Sequence, residues 1–204
     1  MVDINNKILT LDFREAIEKI NVLKAKGYSD LILTIPILEN GEYEQKEEIE
    51  KFNLLKAKIK DINLYLGNEI NYHYTLIHRL KKGDLFTLNN SEYVLIKLPE
   101  KEKPKELRQL ILGLSDYKII ISSISNNKYY TFNDLKAIKN LGFLYLEKLA
   151  DIDNRKVKKM LKRKMVDYLV INDEVDFKIS KRYHKIDDGY LEKLNHDNFI
   201  NILK

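Results

Sequence analysis

Asp30-Leu-Ile-Leu-Thr-Ile-Pro-Ile-Leu38 is the stretch that decides the fold. Apolar residues occupy both alternating faces of this run, which is strand-sized and far too short to cross a membrane. A strand apolar on both faces belongs inside a sheet covered on each side, the arrangement of parallel α/β folds. Working outward, Val2–Leu9 reads as a preceding strand. Asp12 then caps a helix with Ala16, Ile17, Ile20 and Leu23 inward, stopping at Gly27. On the other side, a turn at Asn40-Gly41 leads to a helix from Glu42 to about Lys60. The strand Asn63–Ile70 and a short helix, Tyr74–Lys82, follow and end at Gly83.

The same alternation runs to the end of the chain. Phe86–Pro99 contains a tight turn at Asn89-Asn90 that feeds a fourth strand. Pro104 opens a helix to about Leu114, and Tyr117–Ser123 is the fifth strand. Then come helix Phe132–Asn140, strand Phe143–Glu147, a lysine-rich helix over 155–165, strand Val166–Ile171 and helix Tyr190–Leu203. Strands separated by helices imply crossover connections and a mainly parallel sheet. With no Gly/Ser/Pro-rich linker and no internal repeat, residues 1–204 are expected to form one α/β domain.

Composition narrows the chemistry. Cysteine is absent, which removes thiolate metal sites and cysteine nucleophiles. Neither a secretory signal nor a membrane span is evident, so a cytoplasmic location is expected. The net charge of +5 admits nucleic-acid binding. The densest basic stretch, Arg155–Lys164, is however an amphipathic helix with Val157, Met160 and Leu161 inward and no aromatic residues interleaved to stack bases.

Function on a parallel α/β scaffold sits at the carboxyl ends of the strands. Those segments are Asn5–Lys7, Ile35–Leu38, Gly67–Tyr72, Lys97–Pro99, Ser122–Asn127, Glu147–Leu149 and Asn172–Asp176. None carries a glycine-rich phosphate loop. Of the four histidines only His73 falls near a strand end. Glu69, in Gly67-Asn-Glu-Ile70, and the group Asp173, Glu174 and Asp176 are the carboxylates available to a hard cation; the plain alternatives are a hydrogen-bonding role and an exposed acidic turn.

Four strand-end motifs, taken in order, resemble a family. They are Met1-Val-Asp-Ile-Asn-Asn-Lys-Ile-Leu9, Thr34-Ile-Pro-Ile-Leu-Glu-Asn-Gly-Glu-Tyr43, Leu64-Tyr-Leu-Gly-Asn-Glu-Ile70 and Leu88-Asn-Asn-Ser-Glu-Tyr-Val-Leu-Ile-Lys-Leu-Pro99. Together with the closing Leu194–Leu203 they are similar to the CpsB/CapC-type bacterial tyrosine-protein phosphatases of the PHP (polymerase and histidinol phosphatase) superfamily. The resemblance implies a distorted (β/α)7 barrel. It also implies a cluster of metal ions that activates water against a phosphotyrosine ester, and partners among the tyrosine kinases of capsule or exopolysaccharide assembly.

The departures fall on the family's metal ligands. Its Asp-Ile-His-x-His appears with Asn5 and Lys7 at the histidines, and Ile37 stands for the histidine of Thr-Pro-His. Lys97 replaces the glutamate of Leu-Ile-Glu-(Phe/Leu)-Pro, and Ser123 the histidine of the fifth-strand motif. The closing Ser-Asp-Ala-His falls on Ile171–Glu174, with Asn172 and Glu174 at the ligand positions, and Glu69 is kept. An ammonium cannot stand in for a carboxylate toward a cation, and polynuclear metal sites need ionised carboxylates and neutral imidazoles.

The expectation is thus a catalytically silent barrel, with no cofactor, that binds a phosphorylated partner through Lys7, Lys97 and Lys128 beside Glu69. Two alternatives stand beside it. One is an altered phosphoesterase holding a single Mn or Mg ion with Glu69, Asp173, Glu174 or Asp176, and His73. The other is a nucleic-acid-binding protein using the basic helix.

Overall fold

The structure is a computed structural model that describes residues 2–5, 8–38, 45–104, 107–170 and 188–204. Seven strands lie in one sheet in sequence order, every neighbouring pair parallel: β1 Val2–Asn5, β2 Asp30–Ile37, β3 Asn63–Asn71, β4 Tyr93–Lys97, β5 Lys118–Ser122, β6 Leu144–Lys148 and β7 Tyr168–Val170. β7 comes back against β1, so the sheet curls into a nearly closed barrel with helices around it. The parallel pairing is that expected from the alternation of elements, and the (β/α)7 barrel is that implied by the family resemblance. No helix among the described residues is long and apolar enough to cross a membrane.

Pairing explains why β2 is apolar throughout. Its whole length, Asp30–Ile37, pairs with β3, and Asp30–Leu33 also pair with β1. Ile32 faces the barrel interior while Leu31, Leu33, Ile35 and Ile37 face the layer between strands and helices. Pro36 lies beyond the β1 ladder, where a missing N–H disturbs the sheet least.

The outer helices are α1 Phe13–Ala25, α2 Lys46–Lys58, α3 Leu76–Lys82, α4 Leu107–Gly113, α5 Phe132–Asn140 and α6 Arg155–Lys162. Asp12 caps α1 as expected: its carboxylate accepts from the Glu15 N–H at 2.8 Å, completing a capping box. On α6, Val157, Met160 and Leu161 are buried against the sheet. The chain ends in α7 Asp188–Glu192, a π-helical turn Lys193–Asp197 and α8 Asn198–Leu203.

Most boundaries move by a residue or two, and the first strand moves most. The first strand stops at Asn5, and Ile8–Thr10 form a 3₁₀ turn. Ile8 and Leu9 are adjacent apolar residues that both go into the outer core, which the alternating faces of a strand do not allow. The Lys51 ammonium reaches over from α2 to donate to the carbonyls of Leu9 (2.8 Å) and Leu11 (2.6 Å). Of the fourth helix, Leu107–Gly113 are described; the two residues that join it to Pro104 lie outside the described residues.

The amino end of the barrel is closed by apolar side chains. Val2, Ile4, Ile32, Tyr93, Leu95, Ile120, Leu146, Tyr168 and Val170 fill the interior, with Phe199 and Ile202 of α8 packed among them. The Tyr168 and Phe199 rings meet edge to face at 5.0 Å. Leu88, from the turn before β4, enters the same interior beside β3. A Cβ on Gly67 would stand 2.8 Å from Leu88 Cδ2, so that glycine makes room for it. The expected turn at Asn89-Asn90 is present, with both residues at positive φ (54° and 55°), a conformation asparagine tolerates.

Candidate functional site

At the other end of the barrel the inward face changes character in a single pleat. Side chains two apart on a strand share a face. Leu95, Ile120 and Leu146 belong to the apolar interior, and the next inward positions are Lys97, Ser122 and Lys148. On β3, Glu69, paired in register with Leu95, lies one inward position below Lys97 and lines the same space. These four residues, with Leu98, Glu100, Ser123, Ile124, Asn126 and Asn127, line a cavity of about 220 Å³ at the carboxyl ends of the strands. That is below the 300–1,000 Å³ typical of pockets for drug-sized ligands. It suits a small charged head group. A second groove of about 410 Å³, lined by residues 97–102 and Asn71, adjoins it through Lys97, Leu98 and Glu100.

The cavity is strongly polar and only partly self-neutralised. Lys97 Nζ pairs with Glu100 Oε1 at 2.8 Å. The Lys97 ammonium, by its hydrogen bond and its charge, holds the Glu100 carboxyl below the usual range, with weaker pulls from Lys101 and Lys148. Glu69 is half-buried in the wall. Ser122 is 3% exposed, and its Oγ has no hydrogen-bond partner among the described residues. A buried hydroxyl left this way is unfavourable. It is also ready to donate to an incoming oxygen.

The turn after β5 is held from three directions. Glu147, fully buried on β6, accepts from the Ser125 N–H (3.1 Å) and the Ser125 hydroxyl (2.6 Å). Burial pushes its carboxyl up to about 7, although the Ser125 hydrogen bonds oppose the shift. Asn126 donates to Asp151 at 3.0 Å, and Asn127 donates to the Pro99 carbonyl. Lys156 of α6 donates to the Asn127 carbonyl at 2.6 Å. The cavity wall from β4 to β6 is therefore a cross-tied unit rather than a set of independent loops.

The structure brings together Glu69, Lys97 and Ser123 from the sequence-predicted set. Ser123 adopts φ 49° at the cavity edge and donates its N–H to the Leu146 carbonyl at 2.8 Å. Ile37 is buried in the outer core, away from the cavity. Lys128 is exposed beyond the turn and is not part of the cavity lining. His73 makes a local contact, its Nδ1 at 2.9 Å from Thr75 Oγ1. Asn5 belongs to β1. Its side chain and Lys7, Asn172, Asp173, Glu174 and Asp176 lie outside the described residues.

Sequence reasoning missed Lys148, Ser122 and Glu100. Lys148 lay within a strand-end segment, and counting two residues on from a buried inward leucine is the signal that would have singled it out. In the basic helix, Lys156 is drawn into the turn after β5, Lys158 pairs with Asp153 at 2.9 Å, and Lys159 lies over the Phe132 ring. A cluster of divalent ions needs several converging carboxylates and imidazoles. Among the described residues no group of three or more His, Asp or Glu comes together in that way. The described lining, with two ammoniums in it, does not fit such a cluster.

Comparison with known proteins agrees with this architecture. The structure superposes on a chain from the crystal structures of YwqE from Bacillus subtilis and CpsB from Streptococcus pneumoniae, described as unique metal-dependent tyrosine phosphatases. The TM-score is 0.72 at 21% identity, covering 83% of this chain and 78% of that one. An inactive dihydroorotase-like domain from Chaetomium thermophilum shares the fold with a TM-score of 0.65 at 12% identity, over 100% of this chain and 77% of that one. In sequence, the chain is 32% identical over 158 residues to a Staphylococcus aureus protein named "Putative tyrosine-protein phosphatase CapC". The match covers 71% of this chain and 59% of that relative's length. Residues 9–204 match the family described as capsular polysaccharide synthesis, CpsB/CapC, and the chain belongs to that family.

Proposed function

We propose that this protein is a catalytically silent member of the CpsB/CapC family that binds a phosphorylated partner, a phosphotyrosine segment above all, in capsular polysaccharide synthesis. The observation that carries the reading is the group at the barrel mouth: Lys97, Lys148 and the Ser122 hydroxyl, unpartnered among the described residues, with Glu69. Two ammoniums and a hydroxyl donor are what a phosphoryl group requires, and a lysine serves as a point charge for it. The same ammoniums repel the cations that a hydrolytic site would need to activate water. Family membership and the relative named as a phosphatase support phosphotyrosine as the anion, and a tyrosine kinase of the capsule machinery as its source. Glu69 is the carboxylate retained from the family's pattern, and here it lines the cavity with the two lysines.

The test compares a phosphotyrosine peptide with its unphosphorylated form by fluorescence anisotropy, alongside phosphatase assays with added Mn²⁺. Binding of the phosphopeptide that is lost on joint Lys97→Met and Lys148→Met substitution, with no turnover, is the expected result. Stoichiometric metal with turnover abolished by Glu69→Gln would sink the silent reading in favour of an altered phosphoesterase.

A further inference from the structure

We propose that Glu100 is a resident internal anion that occupies the Lys97 end of the mouth cavity, so that the site admits dianionic phosphomonoesters and turns away monoanions. The inference rests on the anion-binding reading above. Glu100 follows β4 and forms the wall shared by the cavity and the adjoining groove. Its carboxylate pairs with Lys97 Nζ at 2.8 Å, and the two side chains are 66% and 39% exposed. An ion pair that exposed is a weak latch, and the glutamate swings out at little expense.

What replaces it must do more than copy it. A monoanion that displaced Glu100 would exchange one carboxylate partner of Lys97 for another and gain nothing. A dianion reaches further. While one oxygen takes over Lys97, its second charge is matched by Lys148, two strands along on β6 and without an ion pair among the described residues. A third oxygen accepts from the Ser122 hydroxyl, buried in the same wall and unpartnered among the described residues. With Glu100 in place the lining charges of Glu69, Glu100, Lys97 and Lys148 cancel; with it displaced they sum to +1 and both ammoniums face the incoming group. A phosphomonoester carries nearly two charges above its second pKa of about 6.

Phenyl phosphate and benzenesulfonate share shape but differ by one charge at pH 8, and calorimetric titration of each against the full chain tests the idea. The native protein is expected to prefer phenyl phosphate by roughly tenfold or more, the size of one lost charged contact. Glu100→Gln should tighten both ligands, benzenesulfonate by the larger factor, so that the preference narrows. Lys148→Met should weaken phenyl phosphate about tenfold and leave benzenesulfonate nearly unchanged. Unchanged or weaker binding in Glu100→Gln would overturn the internal-anion role. If that happened while Lys97→Met still abolished phosphopeptide binding, the anion site would stand and this inference alone would fall. No binding of either probe or of the phosphopeptide to any variant would overturn both.

Discussion

The two ends of this barrel are built from the same strands and the same inward face, yet they obey different rules. At the amino end, Val2, Tyr93, Tyr168, Phe199 and Ile202 pack together with no charged side chain among them, and the terminal helix closes the floor. At the carboxyl end, one pleat higher, Lys97, Ser122 and Lys148 leave a cavity that packing does not fill. Hydrophobic burial accounts fully for the floor. It does not account for the mouth, where a buried hydroxyl is left without a partner among the described residues and ammoniums converge. A sequence that breaks its own packing rule at one end of a barrel keeps something there other than stability.

The comparison can be broken most forcefully at the floor. Phe199 is fully buried, and Phe199→Ala should cost about 3–5 kcal/mol in urea denaturation, as aromatic truncations in cores do. If phosphopeptide affinity of the folded fraction fell in parallel, the two ends would not be independent.

Glu147 sharpens the contrast through pH. Its carboxyl sits near 7 because of burial, well above the roughly 4.3 of a free glutamate. The folded state thus holds the proton more tightly than the unfolded state does. Unfolding releases it between those two values, so stability falls as pH rises from about 4.3 through 7 and is flat above. The whole effect is on the order of 4 kcal/mol at 1.36 kcal/mol per unit. Glu147→Gln cannot ionise, and the difference in urea stability between pH 5 and pH 8 should shrink towards zero. An unaltered pH slope would remove Glu147 as its origin.

Smaller effects are expected at the cavity itself. Joint Lys97→Met and Lys148→Met substitution should weaken phosphopeptide binding by at least about 1.4 kcal/mol, a factor of ten. Stability should move by less than about 1 kcal/mol, since the Lys97–Glu100 pair is exposed. Ser122→Ala removes a buried hydroxyl that lacks a partner in the described structure and should raise stability by about 1 kcal/mol while weakening anion binding. A variant that gained stability and kept full affinity would make Ser122 a bystander.

Much of this was legible in the chain. The doubly apolar Asp30–Leu38 run implied a covered parallel strand, and β2 lies between β1 and β3. Asp12 before a helical apolar pattern implied its cap, and Asn89-Asn90 a turn at positive φ; both are present. These features rest on local physics: period, capping and backbone tolerance act over a few residues. Glu69 and Lys97 were legible too, because motif order stands in for position at the strand ends.

Other features belonged to the tertiary structure alone. Ile37 is two residues beyond Ile35 on the outward face, and only the barrel's curvature decides which face looks into the cavity. Ile8 and Leu9 read as strand until the outer core needed two adjacent apolar side chains, and a 3₁₀ turn delivered them. Lys148 on β6 meets Lys97 on β4 across β5, and Glu100 turns back on Lys97. By itself the sequence determined the elements and their order, because those depend on neighbours along the chain. Which side chains share the mouth depended on register and closure, which join residues some fifty positions apart and exist only once the strands have paired.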